Sequence, residues 1–205
     1  MYKIVFATGN AHKLTEIREI LADLQAEIVT MKEAGADIEI DENGSTFEEN
    51  ALIKARAVAG ALSGEWADAV VMADDSGLEV DALGKAPGVY SSRYMGEDTP
   101  YELKNAEILR RLEGVPAEER TARFVCAAAA VFPGGREELV RETIEGKIGY
   151  EPRGENGFGY DPIFYLPDLS GSTAELPPEE KNRISHRGKA LRAMAGLLRA
   201  ETGKR

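Results

Sequence analysis

A single cysteine, Cys126, in 205 residues excludes an internal disulfide and points to a reducing compartment, the cytoplasm. It lies in an apolar run and reads as a small core residue. Only two histidines accompany it, so neither a Cys/His zinc spacing nor a Ser-His-Asp constellation is legible. Cations are scarce: 25 Lys and Arg against 36 Asp and Glu give a net charge of −11. That balance argues against nucleic acid and anionic membrane as general partners. No apolar run approaches the roughly 20 residues of a bilayer span. Met1-Tyr2-Lys3-Ile4-Val5-Phe6 runs straight into a strand pattern with no signal-peptide layout. Repeats, low-complexity tracts and long linkers are also missing. What remains is 43% hydrophobic and 30% charged, the composition of a soluble globular protein. The length predicts one domain over residues 1–205, or two lobes of one.

Against that background, Val70-Val71-Met72-Ala73-Asp74-Asp75-Ser76-Gly77-Leu78 stands out. The apolar half reads as a buried strand. The acidic half reads as the loop at its carboxyl end, where ligands collect in open α/β sheets. Paired carboxylates on a rigid element suit metal-assisted chemistry on phosphate. Asp-Asp-Ser-Gly is equally a good turn sequence.

The chain begins with a strand, Tyr2 to Ala7, then Thr8-Gly9-Asn10. A helix follows, with Leu14, Ile17, Leu21 and Leu24 as its stripe, Asn10 as N-cap and Lys13 in the first turn. A lysine there sits at the positive end of the helix dipole, so this junction reads as an anion cradle or as an ordinary capped helix. It is not a Walker A loop. A second strand spans Ala26 to Thr30, and the alternation of Ile38 and Ile40 with acids predicts another. Ser45 with Glu48, and Thr46 with Glu49, each fit a capping box. The next helix has Phe47, Ala51, Ala55, Val58 and Leu62 on one stripe, and Asn50 and Lys54 on one face. Thr99 to Leu112 predicts a helix with Leu103, Ala106, Leu109 and Leu112 inward.

Ala122 to Phe132, Pro133-Gly134-Gly135 and Leu139 to Ile148 predict a hairpin, placed within residues 119–150 of a second lobe. Pro152 to Pro162 interleaves glycine with Phe158 and Tyr160, which suits either an aromatic wall for a planar base or a tight anchored loop. A short strand follows at Ile163 to Leu166. Ser185 opens the last helix, with Leu191, Met194 and Leu198 inward. His186 and Arg187 fall at its start, again the wrong end for cations unless an anion is shared.

Taken together and in order, these segments closely resemble the inosine triphosphate pyrophosphatase family, the Ham1-like or RdgB-type enzymes. The resemblance rests on Thr8-Gly9-Asn10 with Lys13, Thr46-Phe47-Glu48-Glu49-Asn50-Ala51 with Lys54, and Ala73-Asp74-Asp75-Ser76-Gly77-Leu78. It continues through Pro87-Gly88-Val89-Tyr90-Ser91-Ser92-Arg93-Tyr94, Gly157-Phe158-Gly159-Tyr160-Asp161-Pro162, and Glu180-Lys181-Asn182 with Ser185-His186-Arg187. It implies a two-lobed α/β fold, a long twisted mixed sheet flanked by helices, with the active site in the interlobe cleft. It implies Mg²⁺-dependent hydrolysis of ITP, dITP and XTP to the monophosphate and pyrophosphate, which cleans the nucleotide pool, by a cytoplasmic homodimer.

By position, Thr8, Gly9, Asn10, Ala11, His12, Lys13 and Lys54 would hold the triphosphate. Asp75 would be proton acceptor and metal ligand, with Ser76 beside the substrate. The second metal-side carboxylate would be Asp41 or its neighbour Glu42. Phe158, Gly159, Tyr160, Asp161, Lys181, His186 and Arg187 would form the base pocket and its rim. A 6-oxopurine would satisfy a buried donor that adenine leaves unpaired. Competing readings are a Maf-like nucleotide pyrophosphatase with another base preference, a non-catalytic nucleotide sensor, and a phosphatase releasing orthophosphate.

Overall fold

A computed structural model describes residues 2–8, 11–167 and 171–202. Six strands form one sheet in the order β2-β1-β3-β4-β5-β6: β1 is Tyr2–Phe6, β2 Ala26–Thr30, β3 Val70–Val80, β4 Thr121–Val131, β5 Glu137–Ile148 and β6 Phe164–Tyr165. β1 pairs in parallel with both β2 and β3, while β5 and β6 are antiparallel, so the sheet is mixed. Among the described residues five α-helices accompany it: α1 Ala11–Ile20, α2 Phe47–Ala61, α3 Tyr101–Arg111, α4 Pro178–Ile184 and α5 His186–Thr202. No described helix is long and apolar enough to cross a membrane.

The chain divides into two compact units. The first comprises Met1–Asp75, Cys126–Glu142 and Arg187–Arg205; the second comprises Ser76–Val125 and Thr143–His186. In the first, Ile4, Phe6, Val70 and Met72 of the sheet pack with Ile17 and Leu21 and with Leu191, Met194 and Leu198 of α5. The stripes expected for the first and last helices are therefore largely the buried ones. Each fully buried aliphatic side chain contributes about 1.5–3 kcal/mol. In the second unit, Leu78, Val80, Ile108, Leu112, Phe124 and Phe164 form a separate core. The hairpin expected from Ala122 to Ile148 is β4 and β5.

α2 starts where its capping chemistry directs. The Thr46 side chain accepts from the Glu49 backbone N–H at 3.1 Å, and the Glu49 carboxylate accepts from Ser45 N and Oγ. The Ser45–Glu48 box does not form: Thr46 is the N-cap, the Ser45 hydroxyl donates to Glu49, and Glu48 pairs with Arg141.

Three expectations are corrected. Ile38 and Ile40 alternate in exposure with their acidic neighbours, but residues 36–44 join no strand. Asp74, Asp75, Ser76 and Gly77 are not a loop: β3 runs through them to Val80 and is buried at every position except Ser76. The inward face of α3 is also displaced by about one residue. Leu103 is exposed, while Lys104, Asn105 and Ile108 are buried. Specific polar anchors override the apolar stripe: Lys104 Nζ donates to the Ser92 carbonyl and Asn105 Nδ2 to the Gly159 carbonyl.

Candidate active site

Because β3 continues through the acids, successive side chains leave on opposite faces of the sheet. Asp74 shares its face with Val70 and Met72, against α1 and α5. Asp75 shares the other with Val71 and Ala73, against α2. The two adjacent aspartates are therefore two separate centres.

On the α2 face, Asn50 and Lys54 lie one turn apart and both are buried. Asn50 Nδ2 donates to Asp75 Oδ2 at 3.2 Å, and Lys54 Nζ lies 3.3 Å from Asp75 Oδ1. Asn50 Oδ1 accepts from the Gly44 N–H at 2.8 Å, which fixes the amide with its NH₂ towards Asp75. Glu42 Oε2 closes the group, 2.6 Å from Lys54 Nζ. Burial pushes the Asp75 carboxyl above the usual aspartate value; Lys54 and Lys13 offset this in part, and Glu42 adds to it. Burial works to lower the Lys54 ammonium, but Asp75, Glu42 and Asp74 outweigh it and hold it above the ordinary lysine value. A carboxylate with a raised proton affinity on a rigid strand is suited to accept a proton from water.

This centre also fits Mg²⁺. Asp75 and Glu42 are hard oxygen donors that meet at one ammonium. Among the described residues no group of three or more His, Cys, Asp or Glu is arranged to cage a metal. Mg²⁺ does not need such a cage, since one or two carboxylates with substrate phosphates and water complete its shell. Of the two carboxylates expected beside Asp75, the structure brings Glu42 to it. Asp41 is exposed and accepts from the Asn43 side chain.

On the opposite face, Asp74 is enclosed. Lys13 Nζ lies 3.1 Å and Arg187 Nε 3.3 Å from Asp74 Oδ2, and Arg187 also donates to Glu16. Only 4% of the Arg187 side chain and 1% of the Asp74 side chain are exposed. Burial opposes the guanidinium charge, but Asp74 and Glu16 outweigh it. Thr8 follows β1, whose Phe6 pairs with Met72, so Thr8 and Asp74 lie at the same end of neighbouring strands. Ala11 and His12 open α1, while Gly9 and Asn10 lie outside the described residues.

The second unit holds the glycine–aromatic loop. Asp161 is its hub: Oδ2 accepts from the Phe158 N–H at 2.8 Å and from Lys181 Nζ at 2.7 Å, and Oδ1 accepts from Thr173 Oγ1 at 2.9 Å. Lys181 Nζ also lies 4.9 Å from the half-buried Phe158 ring. Gly157 has φ +76°, and a Cβ there would collide with the Asp161 carboxylate, so the tight approach requires glycine. His186 stacks on Phe124 with centroids 4.9 Å apart, and both line a small hollow with Asp161 and Lys181. Sequence reasoning singled out these loop residues but gave Asp161 no structural role.

Two expected results follow from this loop. Lys181→Met leaves a buried Asp161 carboxylate without its cation, and should cost about 3–5 kcal/mol in chemical denaturation. Tyr160 donates its hydroxyl to the Ser91 carbonyl at 2.7 Å, and burial pushes its ionisation well above 10.0. The folded form thus holds this proton more tightly than the unfolded chain. Its contribution is complete below pH 10 and is lost as pH rises above it. Tyr160→Phe should flatten that alkaline limb of the stability profile, read as denaturation midpoint against pH.

Three anchors escape the sequence. Lys104 and Asn105 lie at helical positions that an apolar stripe would leave outside. Arg120, 2% exposed, donates to the carbonyls of Leu112, Ile148 and Gly149. The signal for Lys104 and Asn105 is a polar residue at a buried position, which shows once the helix face is known; Arg120, just before β4, has no such pattern.

A family profile described as Ham1 family matches residues 4–197. A protein of Geobacillus kaustophilus named dITP/XTP pyrophosphatase is 50% identical over 191 residues, covering 93% of this chain and 91% of that one. One of Bacillus subtilis with the same name is 46% identical over 200 residues and 98% of both chains. The solved structure of a HAM1 protein from Coxiella burnetii superposes with a TM-score of 0.86 at 42% identity, covering 98% of this chain and 100% of that one. The chain belongs to the Ham1 family.

Proposed function

We propose that this chain is a nucleoside triphosphate pyrophosphohydrolase that converts dITP, XTP and ITP to the monophosphate and pyrophosphate, removing non-standard purines from the nucleotide pool. The observation that carries the chemistry is Asp75: a buried carboxyl with raised proton affinity, aimed by Asn50 and flanked by Lys54. Asp75 accepts a proton from a water molecule as that water's oxygen bonds to the α-phosphorus. The bond from the α-phosphorus to the bridging oxygen breaks, and pyrophosphate leaves with the electron pair. Lys54 and Lys13 offset the charge of the triphosphate, which Thr8, Gly9, Asn10, Ala11 and His12 bind, with Ser76 beside it. Asp75 and Glu42 would hold Mg²⁺, which would supply further neutralisation of phosphate charge. Positioning and electrostatics provide most of the rate, as in phosphoryl transfer generally.

Phe158 to Asp161, with Lys181 and His186, form the base site. Phe158 offers a ring face, and the loop's donors suit the 6-oxo acceptor of hypoxanthine and xanthine. Arg187 belongs with the base-site residues at the rim, as the family resemblance implies. The enzyme acts as a cytoplasmic homodimer; the family resemblance supports the dimer, and the lone buried thiol of Cys126 supports the compartment.

A substrate panel scored for pyrophosphate tests the assignment. Turnover of ITP, dITP and XTP should exceed that of ATP and of modified pyrimidine triphosphates. A preference for modified pyrimidines would favour the Maf-like alternative, and tight ITP binding without turnover would favour a sensor.

A further inference from the structure

α3 turns an asparagine inward where an apolar residue would be cheaper. Asn105 is 4% exposed, and its Nδ2 donates to the Gly159 carbonyl at 3.1 Å. The reversed amide would set two acceptors against each other, so the amide's orientation is fixed. Its Oδ1 is buried and accepts no hydrogen bond from the described residues. A side chain kept at that cost for one loop carbonyl has a task other than packing.

The peptide it holds is the central one of a turn closed by a long hydrogen bond, from the Asp161 N–H to the Phe158 carbonyl at 3.4 Å. Its plane is set by ψ of Gly159, which glycine leaves free, and by φ of Tyr160, −92°. Its neighbour Tyr160 is fixed through the ring, edge-on to Tyr101 at 5.3 Å, and through its hydroxyl on the Ser91 carbonyl. Neither contact sets the plane of the Gly159–Tyr160 peptide. In a trans peptide the carbonyl and the following N–H point in opposite directions. With the Gly159 carbonyl turned to α3, the Tyr160 N–H is turned away from it. Among the described residues nothing accepts from that N–H.

We infer that Asn105 is a specificity-determining positioning residue: by holding the Gly159 carbonyl inward it presents the Tyr160 N–H to the purine, selecting a 6-oxo acceptor over a 6-amino donor. This rests on the base-site reading of the loop. If the peptide turns over, the Gly159 carbonyl faces the base instead and accepts from the 6-amino group of adenine.

The test uses Asn105→Leu and Asn105→Asp in the full chain, with kcat and KM for ITP and ATP read by pyrophosphate release. For Asn105→Leu, the ITP-over-ATP preference in kcat/KM should fall by at least about tenfold, through a higher KM for ITP with kcat changed less than about threefold. An ionised aspartate cannot donate to the carbonyl, but a protonated one can. In Asn105→Asp the preference should therefore recover as pH is lowered, a dependence missing from Asn105→Leu. That comparison stands even if the leucine variant folds poorly, since it is read within one protein. Variants with the parent's melting midpoint and the parent's preference would overturn the inference. So would equal losses of kcat on both substrates with the preference kept, the mark of general damage. A parent that does not turn over ITP would instead overturn the base-site reading, before any variant is compared.

Discussion

Asp75→Asn is expected to lower kcat for ITP by at least about 10²-fold, the usual size of a general-base contribution. The substitution keeps shape and removes one function, since an amide cannot take a proton from water at neutral pH. The raised proton affinity of Asp75 makes a second expectation. An ionised carboxylate that is less favourable folded than unfolded subtracts from stability at neutral pH. Lys54 keeps Glu42 as a partner, 2.6 Å away. The variant should therefore be as stable as the parent, or more so, while losing activity. A chemical denaturation curve beside the kinetics checks both. A large loss of stability would show that Asp75 holds the fold together, and undiminished kcat would remove it from the chemistry.

Arg187→Met is expected to have the opposite signature. It strips a buried guanidinium from Asp74 and Glu16 and leaves the Asp74 carboxylate, 1% exposed, beside Lys13 3.1 Å away. Breaking one side of a buried ion pair costs about 3–5 kcal/mol, because the remaining charge stays out of water. Arg187→Lys should recover only part, since an ammonium cannot bridge two carboxylates with a planar fork. Adding Asp74→Asn to Arg187→Met should also recover part, since the stranded charge is then gone. The readout is the denaturation midpoint of all four proteins. A loss below about 1 kcal/mol for Arg187→Met would show the pair to be solvated after all.

These two aspartates mark where the sequence stops being legible. Val70 to Ala73 reads as a strand because apolar runs do. Asp74 and Asp75 read as a loop because unpartnered carboxylates in a buried strand are too costly to expect. Their partners Lys13, Lys54 and Arg187 come from three different helices, and no local pattern announces that they converge. Once β3 is known to continue, alternation alone separates the pair: Asp75 goes to α2, and Asp74 to α1 and α5. Asn50 and Lys54 were legible as one helical face, since four residues make one turn. Glu42 and Asp41 could not be told apart, because the segment carrying them joins no strand that would fix its alternation. α3 shows the converse. Leu103, Ala106 and Leu109 form a fair stripe, but two hydrogen bonds to carbonyls turn Lys104 and Asn105 inward instead.

The site of bond breaking tests the central claim most directly. ITP hydrolysed with Mg²⁺ in ¹⁸O-labelled water should give labelled IMP and unlabelled pyrophosphate, because water attacks the α-phosphorus. Label in the pyrophosphate, or orthophosphate as the first product, would place the attack elsewhere and contradict the mechanism built on Asp75.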